Sequence, residues 1–254
     1  MNNEKYLKVA ILAAKNSGKI FKKYFGKPKD IQMKNGDPRN LVTEIDKKIE
    51  TQIRKLILKN FPAHKIIGEE FGSHKLKKDD LVWIIDPIDG TINFIQGLPL
   101  GCISIALWDK NGPVVGVIYN PVLNYLFSSL KGHGAFLNGK KIKVSNKQHY
   151  GGFGWGRRPK KAAKIFPVIV HQLPKIRALG SCTLEFAFVA AGIFDFHVQA
   201  EINVWDFAAA TLLVEEAGGR ITDWKGRKIS MSTTHVVAGN KQVHQKLVRT
   251  LKKF

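Results

Sequence analysis

The segment from Leu81 to Thr91 limits the fold of this chain more than any other. It opens with five apolar residues whose side chains favour strands, and Asp86 follows at once. Pro87 has no backbone N–H and therefore ends a hydrogen-bonded strand. Asp89 and Gly90 then form a tight turn, in which the glycine lets the backbone come close to a ligand. We therefore expect two carboxylates at the end of a buried strand.

This turn brings several oxygen ligands together within six residues. Two carboxylates, a backbone carbonyl and a hydroxyl suit a hard cation such as Mg²⁺ together with a phosphate group. They belong to Asp86, Asp89, Ile88 and Thr91. The structural alternative is an ordinary Asp-Gly turn that is closed by a capping threonine. The turn alone therefore predicts a metal and phosphate site only if the rest of the chain supplies matching parts.

Four blocks of the chain supply such parts. They are Asn40–Asp46 (NLVTEID), Ile67–Glu70 (IGEE), Asp86–Thr91 (DPIDGT) and Trp205–Ala210 (WDFAAA) with Glu215–Gly219 (EEAGG). In these residues the chain resembles the inositol monophosphatase family, which are Mg²⁺-dependent and often lithium-sensitive sugar phosphatases. The segments 116–121 and 134–139 are also similar to the family, so the likeness extends from about residue 34 to 240.

The resemblance implies a metal centre that holds two to three Mg²⁺ ions. Glu69, Asp86 and the Ile88 carbonyl would bind the first ion, and Asp86, Asp89 and Asp206 the second. Glu69 would also reach a third, weaker ion through water. Two of these acids have structural alternatives. Glu69 is also explained as a surface acid, and Asp206 as an acid in the first turn of a helix, where it complements the helix dipole.

The resemblance also implies how the reaction proceeds. Asp46 and Thr91 would orient and deprotonate a metal-activated water, which attacks the phosphorus directly, so that Asp46, Thr91 and Glu69 are the expected catalytic residues. The spacing Thr43-x-x-Asp46 is equally typical of a capping box at a helix start. The two roles of Asp46 are compatible with each other.

Phosphate contacts are expected in two places. The turn after Asp89 should lead into a helix whose first N–H groups, at Gly90 and Thr91, face the phosphate. Lys34 lies in the segment 30–40, which is rich in Gly, Pro, Asn and Asp and predicts a hairpin or mobile loop. The resemblance places a phosphate- or metal-proximal lysine there, and a solvated lysine is the alternative.

The leaving group of the substrate is predicted less sharply. Gly180 and Ser181 match a substrate loop of the family, and Gln199 stands where most inositol phosphatases have a glutamate that binds the ring. Gln keeps the hydrogen bonds of Glu and loses its charge, which removes repulsion against a second phosphate. Arg157 and Arg158 could bind such a phosphate or form a solvated basic loop. Inositol 1-phosphate is therefore the expected substrate, with fructose 1,6-bisphosphate, NADP⁺ and 3′-phosphoadenosine phosphate as alternatives.

Hydrophobic periodicity predicts a mixed fold. Helices are expected at 4–25, 43–59, 184–191 and 206–217 and in a short terminal segment around 243–251, and strands at 66–67, 81–85, 103–107, 114–119, 125–130 and 235–238. The run 151–156, GGFGWG, is interpreted as a glycine-rich link. We expect an α+β half at 1–145 with most metal ligands and an α/β half at 146–254 with Asp206 and the substrate loop. The resemblance implies stacked αβαβα layers and a homodimer.

Composition limits the remaining classes. The net charge of +21 comes from 41 Lys and Arg against 20 Asp and Glu, which favours a lysine-rich surface or a field that steers anionic substrates. No recognition motif indicates a designed nucleic-acid partner, although a non-catalytic RNA-associated protein on the same fold stays open. No apolar run reaches the length of about 18 residues that a membrane span needs, and no secretory signal is seen. Two cysteines, Cys102 and Cys182, fit a reducing cytoplasm.

Overall fold

A computed structural model describes residues 3–27, 31–33, 41–73, 76–77, 79–156, 159–173 and 175–254. The helices in these residues are α1 Asn3–Tyr24, α2 Glu44–Asn60, α3 Thr91–Gln96, α4 Pro159–Gln172, α5 Cys182–Ala190, α6 Val204–Glu216 and α7 Lys241–Leu251. The strands are β1 Gln32–Met33, β2 Leu41–Val42, β3 Lys65–Gly68, β4 Gly72–Ser73, β5 Val82–Asp89, β6 Cys102–Asp109, β7 Gly112–Asn120, β8 Tyr125–Leu130, β9 Gly134–Leu137, β10 Lys140–Ile142, β11 Tyr150–Gly154, β12 Lys175–Arg177, β13 Phe196–Gln199, β14 Arg220–Asp223 and β15 Val236–Gly239.

The larger sheet has eight strands in the order β10-β9-β8-β7-β6-β5-β3-β4. Its long strands form an antiparallel meander, and β5 is buried along its whole length. Strands β3 and β5 run parallel, with Gly68 opposite Ile85. Because parallel strands end at the same edge of a sheet, the residues that follow β3 and those that end β5 are neighbours.

The smaller sheet has five strands in the order β12-β11-β13-β15-β14. Strand β11 runs parallel to both of its neighbours, whereas β13, β15 and β14 pair antiparallel. Strand β1, which lies within the hairpin or mobile loop predicted at 30–40, pairs with β2 in a further two-stranded sheet. Residues 30 and 34–40 of that prediction lie outside the described residues.

Helices and sheets alternate in layers. Helices α1 and α2 cover one face of the larger sheet, α5 and α6 fill the space between the two sheets, and α4 and α7 cover the outer face of the smaller sheet. Residues 183–190 of α5 and 207–214 of α6 are all buried, as expected for helices that lie between two sheets. The predicted αβαβα fold is confirmed. In the part of the chain that the structure describes, no helix is long and apolar enough to cross a membrane.

The predicted elements lie close to the observed ones. Strand 125–130 and the helix cores agree, and most ends differ by one or a few residues. Gly218 has a φ of +81° just beyond α6, as expected for a glycine that terminates a helix. The larger sheet ends at Ile142 and the smaller begins at Tyr150, on either side of the boundary expected at 145. Whether the two halves are separate folding units stays a prediction.

The interpretation of 151–156 as a link is wrong, because most of it is strand β11 between β12 and β13. Gly152 pairs with His197 and Gly154 with Gln199. A Cβ on Gly152 would lie 2.4 Å from His197 Nδ1, and one on Gly154 would lie 1.6 Å from Gln199 Oε1. The glycines therefore leave space for side chains of the neighbouring strand, and they do not mark a flexible link.

Candidate active site

The parallel pair β3 and β5 brings acids from two parts of the sequence to one sheet edge. The N–H of Glu69, the first residue after β3, donates to the Ile85 carbonyl at 3.2 Å, which places Glu69 beside Asp86. Asp86 and Asp89 lie within the last four residues of β5, where its pairing with β6 is irregular. This irregularity lets both carboxylates leave the strand toward the same site.

The turn after β5 is fixed by its own polar groups. The Ile88 N–H donates to Asp86 Oδ1 at 3.0 Å, and Gly90, with a φ of +86°, starts helix α3. The Thr91 hydroxyl lies 3.0 Å from the Ile88 carbonyl oxygen and 3.4 Å from Asp46 Oδ1, and its hydrogen can be donated to either. The predicted turn into a helix is therefore confirmed, and Thr91 connects this turn to Asp46.

The two oxygens of Asp46 have different partners. Its Oδ2 accepts the N–H of Thr43 at 2.8 Å and the Thr43 hydroxyl at 2.6 Å, while Thr43 Oγ1 accepts the Ile45 N–H at 3.2 Å. This is a complete capping box at the start of α2. The other oxygen, Oδ1, faces Thr91. One carboxylate thus caps the helix with one oxygen and reaches the site with the other.

Helices α5 and α6 reach the end of β5 near two acids, Asp89 and Asp206. Asp206 is the third residue of α6, where its Oδ2 accepts the Asn203 N–H at 2.7 Å. Asp89 Oδ2 accepts the Ser181 hydroxyl at 2.5 Å and the Thr183 N–H at 2.8 Å, both at the start of α5. One oxygen each of Asp89 and Asp206 and the Cys182 sulfur lie within 4.8 Å of one another.

Burial and mutual repulsion dominate the electrostatics of these acids. Burial raises the pKa of Asp86 well above its ordinary value, and repulsion from Glu69, Asp89 and Asp206 raises it further. Burial also raises the pKa of Asp89, against the hydrogen bonds from Ser181 and Thr183. Burial raises the pKa of Asp46 to about 7, although its bonds to Thr43 oppose the shift.

The donor set fits a hard divalent cation. Four carboxylates and one carbonyl from β5, α6 and the residue after β3 converge, and oxygen ligands of this kind are those that Mg²⁺ binds. Within the described residues, no lysine or arginine forms an ion pair with Asp86 or Asp89. Buried acids that repel one another are favourable when a bound cation neutralises them. Burial raises the pKa of the nearby Cys182 thiol, so the sulfur stays protonated.

A cavity of about 510 Å³ opens beside these acids. Asp89 and Asp206 line it on one side, and Gly180, Ser181 and Gln199 also face it. The Leu179 carbonyl accepts a hydrogen bond from Asn93 of α3 at 2.7 Å, which fixes the loop before α5. The cavity has the size of a small ligand site, and three of the residues predicted to bind substrate line it together with two predicted metal ligands.

Two lining residues of this cavity, Glu185 and Gln199, are connected through the buried side chain of His197. Glu185 lies 3.0 Å from His197 Nδ1, and His197 Nε2 lies 3.0 Å from Gln199 Oε1. Gln199 Nε2 donates to the Ala200 carbonyl at 3.2 Å, which fixes the orientation of the amide. His197 Nε2 must therefore carry the hydrogen. Glu185 Oε1 also accepts the N–H of Leu179, next to the predicted substrate loop.

The structure assembles most of the predicted site residues. Those placed at the strand end or the cavity are Asp46, Glu69, Asp86, Ile88, Asp89, Gly90, Thr91, Gly180, Ser181, Gln199 and Asp206. Lys34, Arg157 and Arg158 lie outside the described residues, so their roles stay predictions. The sequence analysis missed Thr183, Glu185 and His197. The available signal was a glutamate inside the apolar helix sequence LEFAF and a histidine inside the strand FHV.

Known proteins share this architecture along the whole chain. The family model described as "Inositol monophosphatase family" matches residues 2–254. A fructose-1,6-bisphosphatase/inositol-1-monophosphatase of Aquifex aeolicus is 34% identical over 261 residues, which cover 100% of this chain and 97% of the relative. A Nus factor SuhB of Escherichia coli (strain K12) is 36% identical over 254 residues, which cover 97% and 95%. A solved structure of an IMPase of Thermotoga maritima has a TM-score of 0.90 at 34% identity, covering 98% of this chain and 97% of that one. The chain belongs to the inositol monophosphatase family and is a phosphatase.

Proposed function

We propose that the chain hydrolyses inositol 1-phosphate or closely related small sugar phosphates, with Mg²⁺ as its cation. The proposal rests on one observation, which is that a pair able to accept a proton lies next to a cluster of acids. The Asp46–Thr91 pair meets the carboxylates of Glu69, Asp86, Asp89 and Asp206 beside a cavity that is large enough for a phosphorylated sugar. Phosphomonoester hydrolysis needs both a proton acceptor for water and a cation site for the phosphate.

The proton acceptor is Asp46. A carboxylate with a raised pKa is a stronger base than an exposed one, and burial raises the pKa of Asp46. Thr43 holds one carboxylate oxygen, so the other is fixed toward Thr91. A water that contacts both Asp46 Oδ1 and Thr91 Oγ1, which lie 3.4 Å apart, would be oriented by the hydroxyl and would lose its proton to the carboxylate.

The acid cluster would hold the cations. Glu69, Asp86 and the Ile88 carbonyl would form one position, and Asp86, Asp89 and Asp206 the second. When bound, Mg²⁺ supplies charge neutralisation for the phosphate and lowers the pKa of a bound water. Two or three Mg²⁺ ions, sensitivity to lithium, a homodimer and a cytoplasmic location are parts of the proposal that family membership alone supports.

The leaving group would occupy the cavity beside Gly180, Ser181 and Gln199. A neutral polyol fits this wall, because Ser181 is held by Asp89 and Gln199 offers an uncharged amide. The name of the Aquifex relative includes fructose-1,6-bisphosphatase, so a bisphosphate is the main alternative substrate, with NADP⁺ and 3′-phosphoadenosine phosphate after it. The SuhB relatives bear the name of a Nus factor, which keeps a non-catalytic, RNA-associated role as a less favoured alternative.

Phosphate release from these four substrates tests the proposal. We expect release that needs Mg²⁺, stops with EDTA and is lost in Asp89→Asn. Asp79→Asn is the matched control, because it removes the same charge from an exposed side chain that pairs with Lys110. Equal activity of Asp89→Asn and Asp79→Asn would refute the site. A folded protein that releases no phosphate from any substrate, and that retains RNA at low salt, would favour the non-catalytic alternative.

A further inference from the structure

Helix α2 carries a second buried acid that no role assigned so far uses. Glu50 lies four residues after Asp46, so both side chains are on the same face of the helix. The Glu50 side chain is fully buried, and it faces the turn between β3 and β4. Buried carboxylates are costly unless their oxygens are satisfied by charge and hydrogen bonds, so its partners indicate what it does.

Both oxygens of Glu50 are engaged. Oε1 accepts the Nε hydrogen of Arg54 at 2.7 Å, and Oε2 accepts the backbone N–H of Glu70 at 2.8 Å. Arg54 in turn donates to the Gly72 carbonyl at 3.1 Å, and its guanidinium lies 5.6 Å from the Phe71 ring centre. One acid–base pair on α2 therefore holds the turn at three successive residues, 70–72.

The backbone before Glu69 is shaped to admit this carboxylate. An ideal Cβ on Gly68 would lie 1.8 Å from Glu50 Oε1, so a side chain at position 68 and the Glu50 carboxylate cannot occupy the same space. Any residue with a side chain at position 68 would therefore displace the Glu50 carboxylate. This is a close approach of a charged group to backbone, which requires glycine.

Glu69 sits between these two fixed points. Its own N–H is held by the Ile85 carbonyl at 3.2 Å, and the next N–H, of Glu70, is held by Glu50. The direction in which the Glu69 side chain leaves the backbone is therefore set from both sides. Partners that orient metal ligands in this way commonly change metal affinity 10- to 100-fold when they are removed.

We propose that Glu50 is a positioning residue that holds Glu69 in the cation site, so that cation affinity depends on a side chain that does not bind the cation. The inference rests on the metal site of the proposed function. Because Asp46 and Glu50 share one face of α2, the same helix sets both the Asp46–Thr91 pair and the direction of Glu69.

Cation binding to the metal-free protein tests this inference without the reaction. Free Mn²⁺ is measured by electron paramagnetic resonance during titration of the native protein, Glu50→Ala and Glu50→Gln. Gln keeps the volume of Glu but can no longer accept from both Arg54 and Glu70, and it serves if the alanine variant does not fold. We expect at least about a 10-fold weaker affinity in both variants.

Two comparisons separate positioning from general destabilisation. Ile53→Val is the matched control, because Ile53 is buried on α2 and makes no polar contact with the turn. It should leave Mn²⁺ affinity unchanged while it lowers the melting temperature. In a Glu69→Gln background, the Glu50 substitution should change the affinity less than about two-fold, since its effect acts through Glu69.

The outcomes decide between the alternatives. An unchanged Mn²⁺ affinity in Glu50→Gln, or an equal loss with and without Glu69, would overturn the inference. A native protein that binds Mn²⁺ with the expected dependence on Glu50, but releases no phosphate from any substrate, would overturn the proposed function and leave the positioning role intact.

Discussion

The Glu185 carboxyl offers a direct test of how burial controls charge in the cavity wall. Burial raises its pKa from 4.5 to about 8, with a smaller contribution from Asp89 and with the Leu179 N–H opposing. Burial lowers the pKa of its partner His197 to about 3. Near neutral pH the pair therefore consists of a neutral acid that lies 3.0 Å from Nδ1 of a neutral imidazole.

Glu185→Gln should reproduce this neutral acid. The glutamine carbonyl can accept the N–H of Leu179, as the Glu185 oxygen does. Its amide group can take the place of the Glu185 oxygen that lies 3.0 Å from His197 Nδ1. The substitution therefore keeps the volume and the bond to Leu179 and removes the ability to ionise.

The size of the effect follows from linkage. A carboxyl whose pKa is raised in the folded state adds stability below its unfolded pKa and loses that stability as the pH rises through the folded value. For Glu185 this window runs from 4.5 to about 8. Each pKa unit is worth about 1.4 kcal/mol. Across the whole window the unfolding free energy therefore falls by on the order of 5 kcal/mol as the pH rises. About 3 kcal/mol of this loss occurs between pH 6 and pH 9.

Urea denaturation in EDTA at these two pH values measures the effect. We expect Glu185→Gln to gain about 3 kcal/mol in unfolding free energy relative to the native protein on going from pH 6 to pH 9. Glu4→Gln, at an exposed acid of α1, should show no such gain. A difference between Glu185→Gln and native protein that is the same at both pH values would refute the reasoning. It would mean that Glu185 is ionised throughout, opposite a protonated His197.

Three further substitutions test other parts of the site. Thr43→Ala removes the cap of α2 and the bonds to Asp46, and should lower the unfolding free energy in urea by about 1–2 kcal/mol, with Thr43→Ser retaining most of it. Gly154→Ala puts a Cβ 1.6 Å from Gln199 Oε1. It should lower the unfolding free energy by about 1–3 kcal/mol, which a thermal melt detects as a lower melting temperature. It should also raise KM more than it lowers kcat. An unchanged melting temperature would contradict the observed strand register. Gln199→Glu adds a charge to the cavity wall and should lower kcat/KM for fructose 1,6-bisphosphate about 10-fold more than for inositol 1-phosphate; equal losses would place the second phosphate elsewhere.

The first half of the site could be predicted because its signals are local. The strand, the proline and the Asp-Gly turn of 81–91 lie in consecutive residues, and the structure forms β5 and α3 from them. The capping box at Thr43 and Asp46 is also a local pattern. The sequence left the capping and catalytic interpretations of Asp46 side by side. The structure forms the capping box and is compatible with the catalytic interpretation, which stays a prediction. The two oxygens of one carboxylate face different partners.

The second half was harder because its determinants are distant in sequence. Strand β11 was interpreted as a link, since glycine is rare in strands. The reason for its glycines is the close approach of His197 and Gln199, 45 positions further along the chain. Glu50 is similar. Its sequence neighbours are those of an ordinary amphipathic helix, and only the fold brings it to the N–H of Glu70. Such contacts arise from strand pairing and packing, which local patterns do not encode.

The charges of the chain act on an anionic substrate in two opposite ways, with attraction by the basic surface and repulsion by the acids at the cavity. The net charge of +21 is the excess of 41 Lys and Arg over 20 Asp and Glu. Several of the acids are buried in or beside the site, so the outer surface is more basic than the total indicates. A basic surface draws anionic phosphates toward the protein. Acids line the cavity, among them Asp89 and Asp206, and ionised acids repel a phosphate until cations neutralise them. We therefore expect phosphate affinity at the cavity to depend on bound cations, whether or not the lysine-rich surface speeds the encounter.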